Sequence, residues 1–302
     1  MNARLQTDDE SQPLPAALVT TSVQRHDGGD DPSVVADEVA AEVPVALVFN
    51  GISHAVMMCS PQDLPQLALG FALSEGILDA PSDCYDITVH TSGCMSAPVS
   101  VDSADFPVAE VHLDIATAAF VRLKEHRRSM AGRTGCGICG IDNLNALDLV
   151  PQPNTRPGWL HALTPHTLFT AMSAMPALQT LNRASGAVHA AGFADPNGHL
   201  IAVYEDVGRH NALDKLLGAR AMAQTGLFKD CARSFPEPWP DEGFVVMTSR
   251  ASYELVRKCA RLHVPVLATI SAPTSLAIQV ARTANLQLWG LVRQPRAIRY
   301  SP

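Results

Sequence analysis

Cys136-Gly137-Ile138-Cys139, flanked by Gly135 and Gly140, sets two thiols one short turn apart in a segment whose backbone can approach a reactant closely. At that spacing a cysteine pair can exchange a disulfide, supply half of a metal site or carry a sulfane sulfur as a persulfide, and each needs the thiolate. Zinc requires two further ligands. The other cysteines, Cys59, Cys84, Cys94, Cys231 and Cys259, are scattered, and His189 is a lone candidate that reads equally well as a satisfied core histidine. No metal site is expected. A nucleobase deaminase carries His-x-Glu ahead of Pro-Cys-x-x-Cys, whereas His189-Ala190-Ala191 lacks the glutamate and follows the pair. A thioredoxin-like pair sits at the start of a helix. Here Gly135, Gly137 and Gly140 disfavour a helix and favour an adaptable loop that can present sulfur to two partners in succession. Arg133 can favour the thiolate at short range or can be a solvated loop charge.

A second group of polar residues follows apolar runs in the C-terminal half. Glu205-Asp206-Val207-Gly208-Arg209-His210-Asn211 follows Tyr204, Ser249-Arg250 follows Thr248, and Ser271-Ala272-Pro273-Thr274 follows Ile270. Ligands of open α/β sheets collect outside the carboxyl ends of the strands. Each of these loops leads into an expected helix, whose free amides and dipole favour an anion, and Arg209 and Arg250 can add charge-assisted contacts. Ser271 or Thr274 alone could be a helix cap, and Asp206 with Arg209 could only lock a turn. Three such loops on one edge favour a phosphate-rich ligand, because that many polar groups are costly to satisfy internally. Neither a Gly-x4-Gly-Lys-Ser/Thr phosphate loop nor a dinucleotide fingerprint occurs: Gly135, Gly137 and Gly140 match the fingerprint spacing but no strand immediately precedes them.

The elements that must position these residues follow from periodicity and turn chemistry. Val43 to Phe49 reads as a strand ended by the Asn50-Gly51 turn, with His54 to Met58 as its hairpin partner. Ser60 and Pro61 predict a capped helix start ahead of Leu64, Leu67, Ala68, Phe71 and Ala72, with the helix ending near Gly76. Ile87 to His90 and Val99 to Val101 predict strands, and Ile115 to Met130 a helix with a basic end at Arg127-Arg128. Pro151 to Pro157 reads as a connection, followed by a helix between Pro165 and Ser185 interrupted or bent near Pro176. Strands at 188–193 and 200–204 flank Pro196-Asn197-Gly198, a helix spans 212–224, and 229–242 is a Pro-containing loop. Strands at 244–248, 264–270 and 286–292 then alternate with helices at 252–262 and 274–284, the pattern of a buried parallel sheet. The fold class is α/β. Residues 1–40 read as a disordered tail, 41–150 as a smaller α+β region carrying the two-cysteine loop, and 158–302 as an α/β ligand-binding domain.

Composition narrows the classes further. The 302 residues are 47% hydrophobic and 17% charged, as in globular domains, and no apolar run approaches the ~18 residues of a membrane span. Met1-Asn2-Ala3-Arg4 does not open a secretory signal, and seven cysteines without scaffold spacing suit a reducing compartment, so a cytoplasmic protein is expected. A net charge of −8 argues against a general nucleic-acid surface.

An ordered series of motifs across nearly the whole chain resembles the FdhD-type sulfurtransferases, accessory proteins of formate dehydrogenase. The series comprises Asn50-Gly51, Leu69-Gly70-Phe71, Ser74-Glu75-Gly76, Cys136-Gly137-Ile138-Cys139-Gly140 and Gly186-Ala187-Val188-His189-Ala190. It continues through Glu205 to Lys215, Ser249-Arg250, Ser271-Ala272-Pro273-Thr274 and Gly290-Leu291-Val292-Arg293. The resemblance implies a homodimer with a cytidine-deaminase-like α/β/α sheet in the C-terminal half. Such a protein accepts persulfide sulfur from a cysteine desulfurase and transfers it to the molybdenum bis-guanine-dinucleotide cofactor used by the formate dehydrogenase catalytic subunit. By motif, Cys136 is the persulfide bearer and Cys139 relays or resolves the sulfur. The cofactor contacts implied are Asp206, Arg209, His210, Ser249, Arg250, Ser271, Pro273 and Thr274, with Leu291, Val292, Arg293, Gln294, Pro295 and Arg296. Asn182 stands where an aromatic residue is expected, Ser185 replaces a threonine, and the segment from Cys231 to Pro240 is long for the family. The alternative is a non-catalytic chaperone that hands over the cofactor, its cysteines only shaping a loop.

Overall fold

The structure, a computed structural model of the 302-residue chain, describes residues 13–28, 31–93, 107–128, 151–228 and 239–302. The strand expected at Val99 to Val101, the loop of Cys136 and Cys139, and Cys231 lie outside the described residues.

Part of the expected tail is a ribbon. Strands β1 (Leu18–Arg25) and β2 (Ser33–Ala40) pair antiparallel from Leu18 opposite Ala40 to Arg25 opposite Ser33. Val19, Thr20, Thr21, Val23, Val34, Val35 and Val39 supply the β-branched side chains that favour such a ribbon, a signal masked by the polar average of the segment. A four-stranded sheet follows, in the order β4-β3-β6-β5. Its hairpin of β3 (Val43–Phe49) and β4 (Ile52–Cys59) turns through Asn50 (φ 45) and Gly51 (φ 78), the left-handed pair that a two-residue hairpin turn of this hand requires. Strand β5 (Cys84–Gly93) contains the expected one, and β6 (Pro107–Ile115) lies between it and β3, parallel to β3. Ile115 therefore ends a strand and does not open a helix. Ala109, Val111, Leu113 and Ile115 are buried in alternation with exposed Glu110 and Asp114, and helix α2 (Thr117–Arg128) begins after them.

Helix α1 (Leu64–Ser74) starts later than Ser60 predicts, with Asp63 at its N-cap in a left-handed conformation and a proline in its first turn. Ser60 is committed to a distant loop instead. Helix α3 (Pro165–Leu178) absorbs Pro176, and the break before α4 (Thr180–Ser185) falls at Gln179. There follow β7 (His189–Ala194), β8 (Leu200–Asp206), α5 (Arg209–Thr225), β9 (Phe244–Met247), α6 (Tyr253–Arg261), β10 (Val266–Thr269), α7 (Ser275–Thr283), β11 (Gln287–Arg293) and β12 (Arg296–Arg299).

These strands form one six-stranded sheet in the order β12-β11-β10-β9-β7-β8. Strands β9, β10 and β11 are parallel, but β7 runs against both β8 and β9, and β12 against β11, so the sheet is mixed. The tight turn at Pro196-Asn197-Gly198 forces β7 and β8 to be antiparallel, because parallel neighbours need a long crossover. One face is covered by α5, α6 and α7, through Leu213, Leu217, Leu255, Val256 and Val280, and the other by α3, through Leu168, Met172 and Met175. The regions before and after the Pro151 to Pro157 connection are tightly joined where α1 crosses α5. There a Cβ on Gly70 would overlap the Asp214 carbonyl, and one on Gly218 the Gln66 carbonyl. Among the described residues no helix is long and apolar enough to cross a membrane.

Candidate functional site

The carboxyl edge of the six-stranded sheet is a set of loops bonded to one another. Ser271 N donates to Ser249 O (3.4 Å), Thr274 N to Ala251 O (3.0 Å) and Leu291 N to Ser271 O (3.2 Å). Buried Thr269 locks the arrangement from below, its hydroxyl donating to Ser271 O at 2.8 Å. At Gly290 a Cβ would come within 2.8 Å of Pro273 Cδ, so only glycine lets β11 pass this close to the loop before α7. The next residue, Leu291, adopts φ 53, an uncommon left-handed conformation for a side-chain-bearing residue, which turns the chain toward the tip of the β11–β12 hairpin.

The structure thus gathers Ser249, Arg250, Ser271, Pro273, Thr274, Leu291 and the segment Arg293 to Arg296 at one edge. Their roles differ. Thr274 caps α7, accepting from Ala277 N at 3.3 Å, and Ser249 Oγ donates to Arg250 O. Val292 is fully buried, its side chain part of the core beneath this edge. Arg250, Arg293, Gln294, Pro295 and Arg296 are exposed. Arg293 and Arg296 stand directly opposite each other across β11 and β12, an unfavourable like-charge pairing that a bound anion would relieve.

Asp206 also departs from expectation. It is fully buried and pairs with Lys215 at 2.6 Å, not with Arg209. Its carboxylate also accepts from Ser60 N (3.0 Å), Gly208 N (2.8 Å) and Asn211 Nδ2 (3.0 Å). Lys215 donates to Ser60 O at 3.1 Å, and Val207 N to Ser60 Oγ at 3.2 Å. Asp206 is therefore the internal anchor of the loop before α5, fastened to the end of β4, and has no valence left for a ligand. Arg209 and His210, presented by that loop, are half-buried, and their Nε and Nε2 atoms have no hydrogen-bond partner among the described residues. Burial, reinforced by Arg209 and Lys258, pushes the His210 imidazole down to about 4, so it is neutral at physiological pH. His189, opposite Asp206 on β7, is also lowered, by burial and then by Arg209.

The sequence reading misses a buried ionic network that links three helices. Asp214 on α5 accepts from Lys258 Nζ of α6 at 2.9 and 3.0 Å and from Ser74 Oγ of α1 at 2.7 Å. Lys258 also meets Glu75 at 2.7 Å, and Glu75 holds Arg257 at 2.6 Å. Burial works against the Lys258 charge, but Asp214 and Glu75 outweigh it and hold the ammonium above the ordinary lysine range. The available signal was Asp214-Lys215 lying inside an apolar helical run, where ionisable residues require partners. Burial likewise opposes the Glu75 carboxylate, yet Lys258 and Arg257 draw it well below the usual range. Its stabilising contribution is therefore complete above the unfolded value of about 4.3 and drains away as pH falls toward the lower folded value. The gap in urea midpoint between wild type and Glu75→Gln should be constant near neutrality and narrow below about pH 4; a constant gap throughout would contradict this pairing.

Among the described cysteines, Cys59, Cys84 and Cys259 are free and buried. Burial pushes Cys84 and Cys259 up to about 12 and Cys59 well above its ordinary value, so none of the three is a thiolate nucleophile at neutral pH.

Together these features define a mixed α/β protein whose sheet edge carries interlocked polar loops and exposed arginines. The chain belongs to the FdhD/NarQ family, whose family model matches residues 40–302. It is 46% identical over 292 residues to a protein of Burkholderia cenocepacia named sulfur carrier protein FdhD, with 97% of each chain covered. A protein of the same name from Chromobacterium violaceum is 46% identical over 287 residues, covering 94% of this chain and 95% of that one. A crystal structure from Desulfotalea psychrophila, provisionally described as a formate dehydrogenase accessory protein, matches with a TM-score of 0.63 at 19% identity. That match covers 95% of this chain and 97% of the other, and it bears on the fold.

Proposed function

We propose that this chain is a sulfur carrier that takes persulfide sulfur from a cysteine desulfurase and delivers it to the molybdenum bis-guanine-dinucleotide cofactor destined for formate dehydrogenase. The name shared by the relatives supports the carrier role. The observation that carries the cofactor reading is the meeting of Ser249-Arg250, Ser271 to Thr274 and the opposed Arg293 and Arg296 at one sheet edge. A dinucleotide's phosphates would neutralise that arginine pair. The mixed sheet, with β7 antiparallel to both neighbours, supports a cytidine-deaminase-like assignment. The reading also includes a homodimer, which the family resemblance implies, and a cytoplasmic location, which the free thiols among the described cysteines support.

In the chemistry proposed, the Cys136 thiolate attacks the terminal sulfur of the donor persulfide. The donor S–S bond breaks, the donor cysteine leaves as thiolate, and Cys136 becomes the persulfide with no net oxidation. Cys139 then attacks Cys136 Sγ. The pair is oxidised to a disulfide, and the sulfane sulfur, reduced by two electrons, leaves as sulfide to the bound molybdenum substrate. A thiol reductant restores the pair.

Mass spectrometry after incubation with a cysteine desulfurase and cysteine should show the wild-type chain gaining one sulfur atom and Cys136→Ala gaining none. An unchanged wild-type mass would overturn the carrier role, and a Cys136→Ala variant that still activates formate dehydrogenase would establish a non-catalytic chaperone.

A further inference from the structure

Strands β8 and β9 both run antiparallel to β7 and so point the same way, and the helices that follow them, α5 and α6, start at the same sheet edge. The two helices are neighbours, joined by the Asp214–Lys258 ion pair at 2.9 Å, and His210, at the start of α5, feels the charge of Glu254 in the first turn of α6. Helix α7 starts at this edge too, but Thr274 closes it. The other two are open. Helix α5 begins at Gly208, which has no side chain to cap it, and carries no acidic residue in its first turn. Helix α6 begins at Ser252, a residue type that ordinarily accepts a first-turn amide, yet its hydroxyl makes no such bond. Ser252 is only 7% exposed, and its buried Oγ has no hydrogen-bond partner among the described residues.

Three buried polar atoms without partners therefore belong to the start of these two helices: Ser252 Oγ, Arg209 Nε and His210 Nε2. Buried polar groups in folded proteins are nearly always satisfied, so such a cluster points to a missing acceptor. Charge specifies its sign. Lys258 and Arg257 are already neutralised by Asp214 and Glu75, whereas Arg209 makes no ion pair among the described residues. The carboxylates sensed by His210 are Glu254 and Glu75. Glu75 is spent on Lys258 and Arg257, leaving Glu254 to be offset by Arg209 and by two helix N-termini. The neutral His210 imidazole can donate through Nε2, as the hydroxyl and the guanidinium do.

We propose that the first turns of α5 and α6 together form a phosphoryl-binding subsite, separate from the Arg293 and Arg296 edge, with Ser252 as a contact residue. It rests on the reading that this sheet edge holds a phosphate-bearing ligand, and it assigns that ligand a second anchoring point.

The test is calorimetric titration of inorganic pyrophosphate and, separately, GDP into the full chain, comparing wild type with Ser252→Ala, Ser252→Thr and Arg293→Ala. Ser252→Ala should weaken pyrophosphate binding about tenfold, the loss expected for one hydrogen bond to a charged group. Ser252→Thr should restore it, and Arg293→Ala should leave pyrophosphate unchanged while weakening GDP. Because Ser252 Oγ bonds nothing among the described residues, Ser252→Ala should not lower the melting temperature, which separates ligand contact from a structural role. Wild-type failure to bind pyrophosphate, or equal affinity in Ser252→Ala, overturns the subsite. Either result with GDP binding and persulfide loading intact would leave the sulfur-carrier reading standing.

Discussion

Gly218→Ala is expected to destabilise the protein by roughly 2–4 kcal/mol, the cost of forcing a methyl group into packed backbone. Two effects of opposite sign compete. Alanine in the interior of an exposed helix would stabilise by about 1 kcal/mol through propensity alone. At Gly218, however, the added Cβ would overlap the Gln66 carbonyl of α1 and lie 2.8 Å from Gly70 N, and both neighbours are backbone, which cannot swing aside. Gly70 faces the same obstacle from the Asp214 carbonyl. Steric overlap therefore outweighs propensity, and the urea midpoint should fall sharply with an unchanged m-value. A neutral or raised midpoint would mean that the two helices do not cross at this distance.

Removing Lys258 should be as damaging for a different reason. Its ammonium is nearly inaccessible and serves Asp214, Glu75 and Ser74 together. Lys258→Met keeps the bulk but strands the Asp214 carboxylate on the buried side of α5, and breaking such a pair costs about 3–5 kcal/mol. The double variant Lys258→Met with Asp214→Leu should recover a large part of that loss, because it is the uncompensated charge that destabilises. A single variant within about 0.5 kcal/mol of wild type, the scatter of ordinary surface substitutions, would show that the network is not formed.

How far the sequence could be read depended on the range of the interactions involved. Asn50-Gly51 declared its hairpin because the left-handed turn is a local demand, and the strands and helices from Phe244 to Arg293 emerged because buried strands are continuously apolar. Gathering the loops at Glu205, Ser249 and Ser271 on one edge then followed from topology, whereas the segment around Arg293 was named only through the family resemblance. Strand β6 was missed because Ile115 fits a helix as readily as the end of an alternating strand. Ser60 was misread because a serine before Pro61 is an ordinary helix cap, whereas its true partner, Asp206, lies 146 residues away and leaves no local trace. Lys215 was hidden as the counter-ion of Asp206 by its place in an apolar helical run, and the nearer Arg209 was a plausible substitute until the geometry separated them.

The fastening of Ser60 to the Asp206 loop, together with the Gly70 and Gly218 crossing, gives each joint one component from before the Pro151 to Pro157 connection and one from after it. A recombination event at that connection would transplant half of every joint, pairing one lineage's serine with another's aspartate loop and one helix notch with a foreign ridge. The two portions are thereby bound to be inherited together and to drift in step, although the seam between them looks from the outside like a convenient place to cut.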